Sequence, residues 1–361
     1  MTTDEARPAR SGYRWPAEWE EHVATWLTWP HARTTWPGEG RLERVERAYV
    51  AMVEALSGRE RVRIVVDGAA REERARCALR AAGVDADRGI EFVAAPTDDS
   101  WIRDCGPIFL CARDTAPAGA RPARLALDFG FNAWGGKYPP FDRDDALARR
   151  VARAAGVECA TIDAVLEGGS VDGNGAGTVL TTEACLLHAN RGPVRGGPRT
   201  RESVEALLGD CLGAERVLWL GDGIVGDDTD GHVDDIARFV GPHTVVATVE
   251  PDVSDPNHAP LAENLRRLAS MRTADDKPID VVELPMPAPL RLDGERLPAS
   301  HANFLLANGV ALVPVFGGAS DARALAVLRE CLPGRDVVGI PANDLVVGLG
   351  AVHCLSQQEP R

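Results

Sequence analysis

Apolar positions along this chain change their spacing in a regular order. Helical spacing covers roughly 41–57, 69–82, 144–155, 200–212, 259–271 and 321–332. Each stretch is followed within a few residues by a short β-branched apolar run that reads as a strand: Val62–Val66, Ile90–Ala94, Val157–Ile162, Arg216–Leu220, Val281–Leu284 and Val337–Ile340. Further strand pairs are expected in Thr178–Leu187, Ile236–Val249 and His301–Val315. The order helix, strand, loop, strand, strand recurs about five or six times. A β-rich module repeated around an axis fits that order better than one doubly wound sheet. Proline and glycine are spread through the connections, and no low-complexity linker divides the chain. The proline-rich stretch from Leu284 to Leu290 reads as a loop. Residues 1–14 read as a loose N-terminal tail, and 15–361 as a single catalytic domain.

Bulk properties narrow the class. At 361 residues, with 45% hydrophobic and 26% charged residues, the chain is an ordinary globular protein able to bury a large core. Its net charge of −14 argues against nucleic acid as a partner, because that binding depends on neutralising phosphates. The same charge favours arrival of a cationic substrate. No apolar run reaches the ~20 residues of a membrane span. The polar start, Met1–Arg10, has no signal-peptide character. A cytoplasmic protein, active away from membranes, is expected. The sequence leaves a homo-oligomer open. The eight cysteines are scattered without a C-x-x-C pair, which is neither a zinc spacing nor a disulfide scaffold. Cys77, Cys211 and Cys331 read as buried small hydrophobes. Most of the five tryptophans between 15 and 36 read as core.

Four short segments carry candidate chemistry. Cys354 ends the apolar run Val346–His353, which reads as a buried last strand holding a rigid thiol. In Trp101-Ile102-Arg103-Asp104-Cys105-Gly106-Pro107, the Asp104 carboxylate suits a guanidinium, since two oxygens take two parallel N–H bonds. The Trp101 face can cover a cation or its stem. The competing reading is a surface Arg103–Asp104 pair. Glu167-Gly168-Gly169-Ser170 places an acid at a strand end beside backbone without side chains. In Gly231-His232-Val233-Asp234, an extended backbone would put His232 and Asp234 on one face. The surrounding acidic run partly resembles a calcium loop, but Gly226 and Ala237 occupy the first and twelfth ligand positions. His353 adjoins Cys354 and would face the other way on a strand, so His232 is the better proton carrier. Phosphate-loop, dinucleotide and H-E-x-x-H patterns are absent. No cofactor and no metal are expected.

Together and in this order, the motifs resemble the agmatine deiminase branch of the peptidylarginine-deiminase-like, guanidine-modifying family. The resemblance runs through Trp29-Pro30, Asp99 to Pro107, Phe131-Asn132-Ala133-Trp134-Gly135-Gly136, Glu167-Gly168-Gly169-Ser170, Leu180 to Leu187, Asp228 to Asp234, Asn303-Phe304 and His353-Cys354-Leu355-x-Gln357-Gln358. It implies a five-bladed α/β propeller with a pseudo-fivefold arrangement of ββαβ-type modules. It implies Cys354 as nucleophile, His232 as general acid/base, Asp104 and Asp234 as guanidinium-binding carboxylates, Glu167 as an orienting acid and Trp101 as a wall of the substrate site. The implied reaction is hydrolysis of agmatine to N-carbamoylputrescine and ammonia, a step of polyamine metabolism that yields putrescine. Alternatives are another guanidine (arginine, peptidyl-arginine or a guanidino acid), amidino transfer, or a cation-binding protein without turnover. Retention of both Cys354 and His232 argues against the last. The sequence departs from the family at Leu349 and Ala351, where Gly and Asn are usual, and after Ser170. Arg14, Arg33 and Arg238 remain candidates for a substrate carboxylate.

Overall fold

The computed structural model describes residues 7–113 and 122–361. The six expected helices are present as Arg41–Leu56, Ala69–Ala81, Leu147–Ala155, Arg201–Leu212, His258–Ser270 and Ala319–Cys331. Each leads into the expected strand: Arg61–Val66, Ile90–Ala94, Glu158–Val165, Arg216–Leu220, Asp280–Pro285 and Asp336–Pro341. The first helix shows why. Leu42, Val45, Tyr49, Met52, Val53 and Leu56 recur at three- and four-residue steps and are all buried. Helix Arg201–Leu212 is bracketed by a Thr200/Ser203 capping box and by Gly213 in the left-handed region.

Five sheets share one plan. An antiparallel pair is followed by a helix, which returns the chain to a third, parallel strand; a parallel neighbour requires such a crossover. The pairs are Ile108–Ala112 with Arg124–Gly130, Val171–Gly173 with Thr178–Thr182, Ala237–Phe239 with Thr244–Val249, and Leu305–Ala307 with Val310–Val315. The remaining sheet is completed from both ends of the chain. His22–Thr28 is parallel to Arg61–Val66, which is parallel to Ile90–Ala94, while the last strand, Ser356–Pro360, pairs antiparallel with His22–Thr28. A buried polar lock holds that closure: Glu359 Oε2 accepts from Trp26 Nε1 at 2.9 Å and from Arg63 Nη1 at 2.6 Å. A two-stranded hairpin, Arg291–Leu292 with Glu295–Arg296, stands apart.

Apolar side chains fill the spaces between sheets and helices in several clusters. A second buried population is charged: Glu18, Arg103, Asp104, Glu167, Asp172, Arg191, His232, Asp234, Asp235, Arg238 and His353. Buried charges need partners, and these find them across sheets. The links from one sheet to the next supply the chemistry. Asp104 lies between Ile90–Ala94 and Ile108–Ala112, and Glu167 between Glu158–Val165 and Val171–Gly173. His232 and Asp234 lie between Arg216–Leu220 and Ala237–Phe239. Asn303 precedes Leu305–Ala307, and Cys354 precedes Ser356–Pro360.

Several expectations are corrected. The segment ending at Cys354 is not a strand: Leu345–Gly348 is a 3-10 turn, residues 349–355 are irregular, and pairing begins at Ser356. Its apolar content reflects burial rather than sheet pairing. Thr178–Leu187 is a strand only to Thr182, and Glu183–Leu186 is helical with Thr182 as its cap. Residues 7–14, expected to be loose, are packed. Tyr13 is buried, its short strand with Arg14 pairs to Ala112 and Cys111, and Arg7 and Arg10 reach Asp210. Residues 1–6 lie outside the described residues. Cys77 is exposed and Cys331 only half-buried, because both sit on outer helix faces; Cys211 is buried as expected. Among the described residues, no helix is long and apolar enough to cross a membrane.

Candidate active site

Asp104 sits in a four-residue helix, Ile102–Cys105, and is buried together with Arg103. The surface-pair reading therefore fails. Arg103 turns away to the last strand, donating to Gln357 Oε1 at 2.7 Å and Gln358 Oε1 at 2.6 Å. Asp104 Oδ1 accepts from the Gly169 backbone at 2.9 Å, and Oδ2 from Trp134 Nε1 at 3.0 Å. Burial raises its pKa, opposed first by the nearby His232.

His232 and Asp234 converge, but not by extension. His232 has extended angles, whereas Val233–Asp235 is a 3-10 turn. Gly169 shows how tightly the groups meet. A Cβ there would lie 2.7 Å from His232 Nδ1, 2.9 Å from Asp104 Oδ1 and 3.0 Å from Asp234 Oδ2. His232 Nδ1 stands 3.8 Å from Asp104 Oδ1, and neither ring nitrogen has a hydrogen-bond partner among the described residues. Burial opposes the charged ring, but Asp104 foremost, with Cys185 and Glu167, holds its pKa well above the usual value. His232 is thus a proton donor at neutral pH.

Cys354 is buried, with Sγ 3.0 Å from Asn303 Nδ2 and 3.7 Å from Asp234 Oδ2. Burial, then Asp234, Asp235 and Asp104, push the thiol well above its usual pKa. Asp234 is pulled up by burial, yet His353 Nδ1 at 2.6 Å brings it below the usual carboxylate value. Asp235 is raised well above its own by burial and by the facing Asp234 and Asp227, which outweigh His232. Glu167 is fully buried: Oε1 accepts from Arg191 Nε at 2.8 Å, and Oε2 has no partner among the described residues. Asp234 Oδ1 likewise has none. Two acceptor oxygens are therefore left unsatisfied in one buried region beside the imidazole, and a planar, multiply donating cation would satisfy them.

Cys354, Asp104 and Trp101 line a cavity of about 690 Å³. Its walls include Phe131, Trp134, Tyr138, Leu297 and Leu349, and its lining also carries Asp228, Asp293 and Glu295. The Trp101 ring lies so close to Gly348 and Gly350 that a Cβ at either would fall within 3.0 Å of it. A second hollow of about 760 Å³, lined by Glu183, Asp222, Asp227, Asp230 and Glu263 among others, contains none of the reactive groups.

Sequence reasoning missed three contributors. Asn303 bridges Cys354, Asp234 and Asp235, and its signal was only the pair Asn303-Phe304. Trp134 holds Asp104 from within a quoted motif. Arg191 fixes Glu167 and gives no local signal. Two groups could surround an ion: Glu167, Cys185 and His232, and Asp234, Asp235 and Cys354. Ligation needs a neutral imidazole and a thiolate, whereas His232 is held protonated and Cys354 as a thiol.

Residues 14–360 match the model of the Porphyromonas-type peptidyl-arginine deiminase family. The chain belongs to this deiminase family. Its similarity to agmatine deiminases spans whole chains. It is 35% identical to the agmatine deiminase of Ectopseudomonas mendocina, covering 100% of this chain and 99% of that one. The solved agmatine deiminase of Enterococcus faecalis superimposes with a TM-score of 0.88 at 31% identity, over 99% of this chain and 98% of that one. A C. jejuni agmatine deiminase solved with substrate bound superimposes with a TM-score of 0.83 at 28% identity, over 97% and 96%. The mixed α/β architecture of this deiminase is that of its family.

Proposed function

We propose that the protein hydrolyses agmatine to N-carbamoylputrescine and ammonia. One observation carries this reading. Cys354, His232, Asp104, Asp234 and Glu167 meet in one buried region beside a cavity with apolar walls and an acidic lining. The full-length similarity to agmatine deiminases supports the choice of guanidine. Five like modules, closed by the last strand on the first sheet, favour a five-bladed propeller with the reactive links gathered at its axis. Residues 15–361 would form that single unit, working in the cytoplasm on a small cation.

The guanidinium carbon is a weak electrophile because its charge is spread over three nitrogens. Asp234 Oδ1 and Glu167 Oε2 are free to accept its N–H groups, and Asp104 keeps lone pairs for it while anchored by Gly169 and Trp134. Fixing the carbon in place supplies the orientation component of catalysis. The substrate's charge offsets the carboxylates that hold Cys354 as a thiol, so the thiol releases its proton to solvent and the thiolate forms beside the guanidinium. Sulfur adds to the carbon, and a C–N bond then breaks. His232 protonates the departing nitrogen, which leaves as ammonia. A water adds next to the resulting thiouronium carbon and gives its proton to His232. The C–S bond breaks as the remaining hydroxyl proton passes to sulfur, releasing the ureido product and the Cys354 thiol.

The cavity favours agmatine over arginine. Among the described residues its lining contains no arginine and one lysine, Lys137, which is bonded to Asp228 O and Asp230. The three arginines left open by the sequence are engaged: Arg14 with Glu20, Arg33 with Glu43, and Arg238 with Asp172 and Glu18. An α-carboxylate would meet Asp228, Asp293 or Glu295 instead. The test compares kcat/KM for agmatine, arginine, 4-guanidinobutyrate and a C-terminal-arginine peptide, scored by ammonia and the matching ureido product. Agmatine is expected to lead. A tenfold lead for arginine or guanidinobutyrate, about 1.4 kcal/mol of transition-state preference, would remove agmatine as the substrate. No ammonia from any of the four would remove the deiminase reading.

A further inference from the structure

Glu18 belongs to none of the sequence motifs, yet its carboxylate lies at the back of the site. His353, buried, is held from both sides. Its Nδ1 is 2.6 Å from Asp234 Oδ2, and its Nε2 is 2.8 Å from Glu18 Oε2. An ionised carboxylate only accepts, and a neutral imidazole donates from one nitrogen only. Two such contacts therefore require a proton on each ring nitrogen.

Independently of the ring, Arg238 favours the ionised form of both carboxylates, and His232 that of Asp234. Burial opposes the charge on Glu18, but Arg238 and His353 bring its pKa well below the usual value. The backbone leaves the ring little freedom, since the His353 N–H donates to Asn303, with O and Oδ1 each at 3.0 Å. Glu18 is anchored in turn: Oε1 accepts from Leu306 N at 2.7 Å, and Oε2 from Arg238 Nη2 at 2.6 Å. Arg103 Nη2 stands 3.8 Å away, and Arg238 also pairs with Asp172. The ring's two carboxylate partners, Glu18 and Asp234, are flanked by Arg103, Arg238 and His232, with Asp172 beyond Arg238, Asp235 beside Asn303 and the Cys354 thiol adjoining Asp234.

We propose that Glu18 and His353 are positioning residues for the reaction: Glu18 fixes a doubly protonated His353, which engages one oxygen of Asp234 and leaves the other free for the guanidinium. This rests on the deiminase reading above. The chain of contacts links a residue near the start of the chain to the reactive centre near its end. Its effect on Asp234 is both geometric and electrostatic. Oδ2 is taken by His353 and Asn303, while Oδ1 stays open.

The experiment uses full-length wild type and three variants: Glu18→Gln, Glu18→Asp and His353→Gln. Nitrogen-15 NMR of the substrate-free wild type at pH 7 should show protons on both His353 ring nitrogens, and a neutral ring overturns the proposal. For agmatine, Glu18→Gln is expected to lower kcat/KM by about 10- to 100-fold. The acid limb of its pH profile should move upward, because Asp234 loses the cation that keeps it ionised. Glu18→Asp should recover part of both effects, and it serves as the charge-retaining test if Glu18→Gln does not fold. The double variant Glu18→Gln/His353→Gln should be no worse than the poorer single variant, because the two residues act as one unit. Additive losses, or losses that follow the melting temperature with an unchanged pH profile, overturn the proposal. Failure of wild type to release ammonia from agmatine would remove the substrate reading alone, since the NMR assignment needs no substrate.

Discussion

Gly169→Ala is a one-methyl test of how the site is assembled. Its Cβ would fall 2.7 Å from His232 Nδ1, 2.9 Å from Asp104 Oδ1 and 3.0 Å from Asp234 Oδ2, where ordinary contact begins near 3.4 Å. The three side chains would have to retreat by roughly 0.4–0.7 Å, since a contact closer than the van der Waals minimum is repulsive. They cannot do so independently. Asp104 is held by Trp134 and by Gly169's own N–H, Asp234 by His353, and all three are fully buried. The backbone itself accepts alanine, since Gly169 does not adopt a positive φ. The cost to folding is therefore the overpacking range of about 1–3 kcal/mol. The cost to catalysis is larger in proportion, because a misplacement of about 1 Å lowers rate by ~100-fold. A fall in kcat of about 10- to 100-fold is expected, with the protein still folded. Ammonia release under saturating agmatine measures kcat, and a thermal melt measures the fold. Gly318→Ala is the control, since its Cβ would meet only Ser320 Oγ, at 3.8 Å. A Gly169→Ala enzyme with wild-type kcat and KM would show that the three groups do not converge as described.

Cys354→Ser should abolish turnover while leaving folding and agmatine binding intact; a cysteine adduct trapped on wild type and seen by mass spectrometry would support the same conclusion, and substantial activity in the serine variant would contradict it. Asp234→Asn removes a charge from the substrate cradle and should cost at least ~1–3 kcal/mol of interaction with the cation, read as a lower kcat and a higher KM. The pH dependence follows from the raised Cys354 thiol: the free enzyme must lose a proton to react, so kcat/KM for agmatine should climb from pH 7 to 9, and a flat or falling profile there would exclude thiol ionisation as the limiting step. Leu349→Gly should leave the melting temperature unchanged or higher, because Leu349 sits at φ 70, where a side chain costs about 1–2 kcal/mol, and it should narrow the preference for agmatine over bulkier guanidines by opening the cavity wall.

Much of the fold was legible because its helices and strands are locally consistent. Helix Arg201–Leu212 has a cap, an apolar face and a terminal glycine, so its bounds follow from the residues themselves. Strand Arg216–Leu220 matches its expected bounds because β-branched and bulky apolar residues fill it between polar turns. The errors fall where tertiary burial mimics local structure. Val346–His353 is as apolar as a core strand, yet it has no strand partner and wraps as a 3-10 turn and loop around Trp36 and Trp101. Cys77 and Cys331 lie within helical patterns, but the pattern alone does not say which face each side chain takes.

The site was legible to the extent that chemistry was concentrated in short segments. Cys354, His232, Asp104, Asp234 and Glu167 carry reactive or charged groups beside glycines and turns, and each could be singled out in place. Their geometry could not. His232 and Asp234 were expected to share a strand face; they converge because a 3-10 turn follows His232 and because Gly169 leaves room for both. His353 was set aside through a strand argument that the backbone does not support, yet its ring does turn from the thiol, toward Asp234 and Glu18. Glu18 and Arg191 reach the site through partners distant in sequence, so no window of neighbouring residues contains their signal, and the pair Asn303-Phe304 does not show which groups Asn303 bridges. The links between sheets explain both results. Each is too short to fold alone and contributes only one or two side chains, so a link reveals the chemistry it carries but not where that chemistry will meet the rest. Closure of Ser356–Pro360 on His22–Thr28 fixes the meeting point, because it sets Cys354 against Asp234 and His353 against Glu18 in a single step.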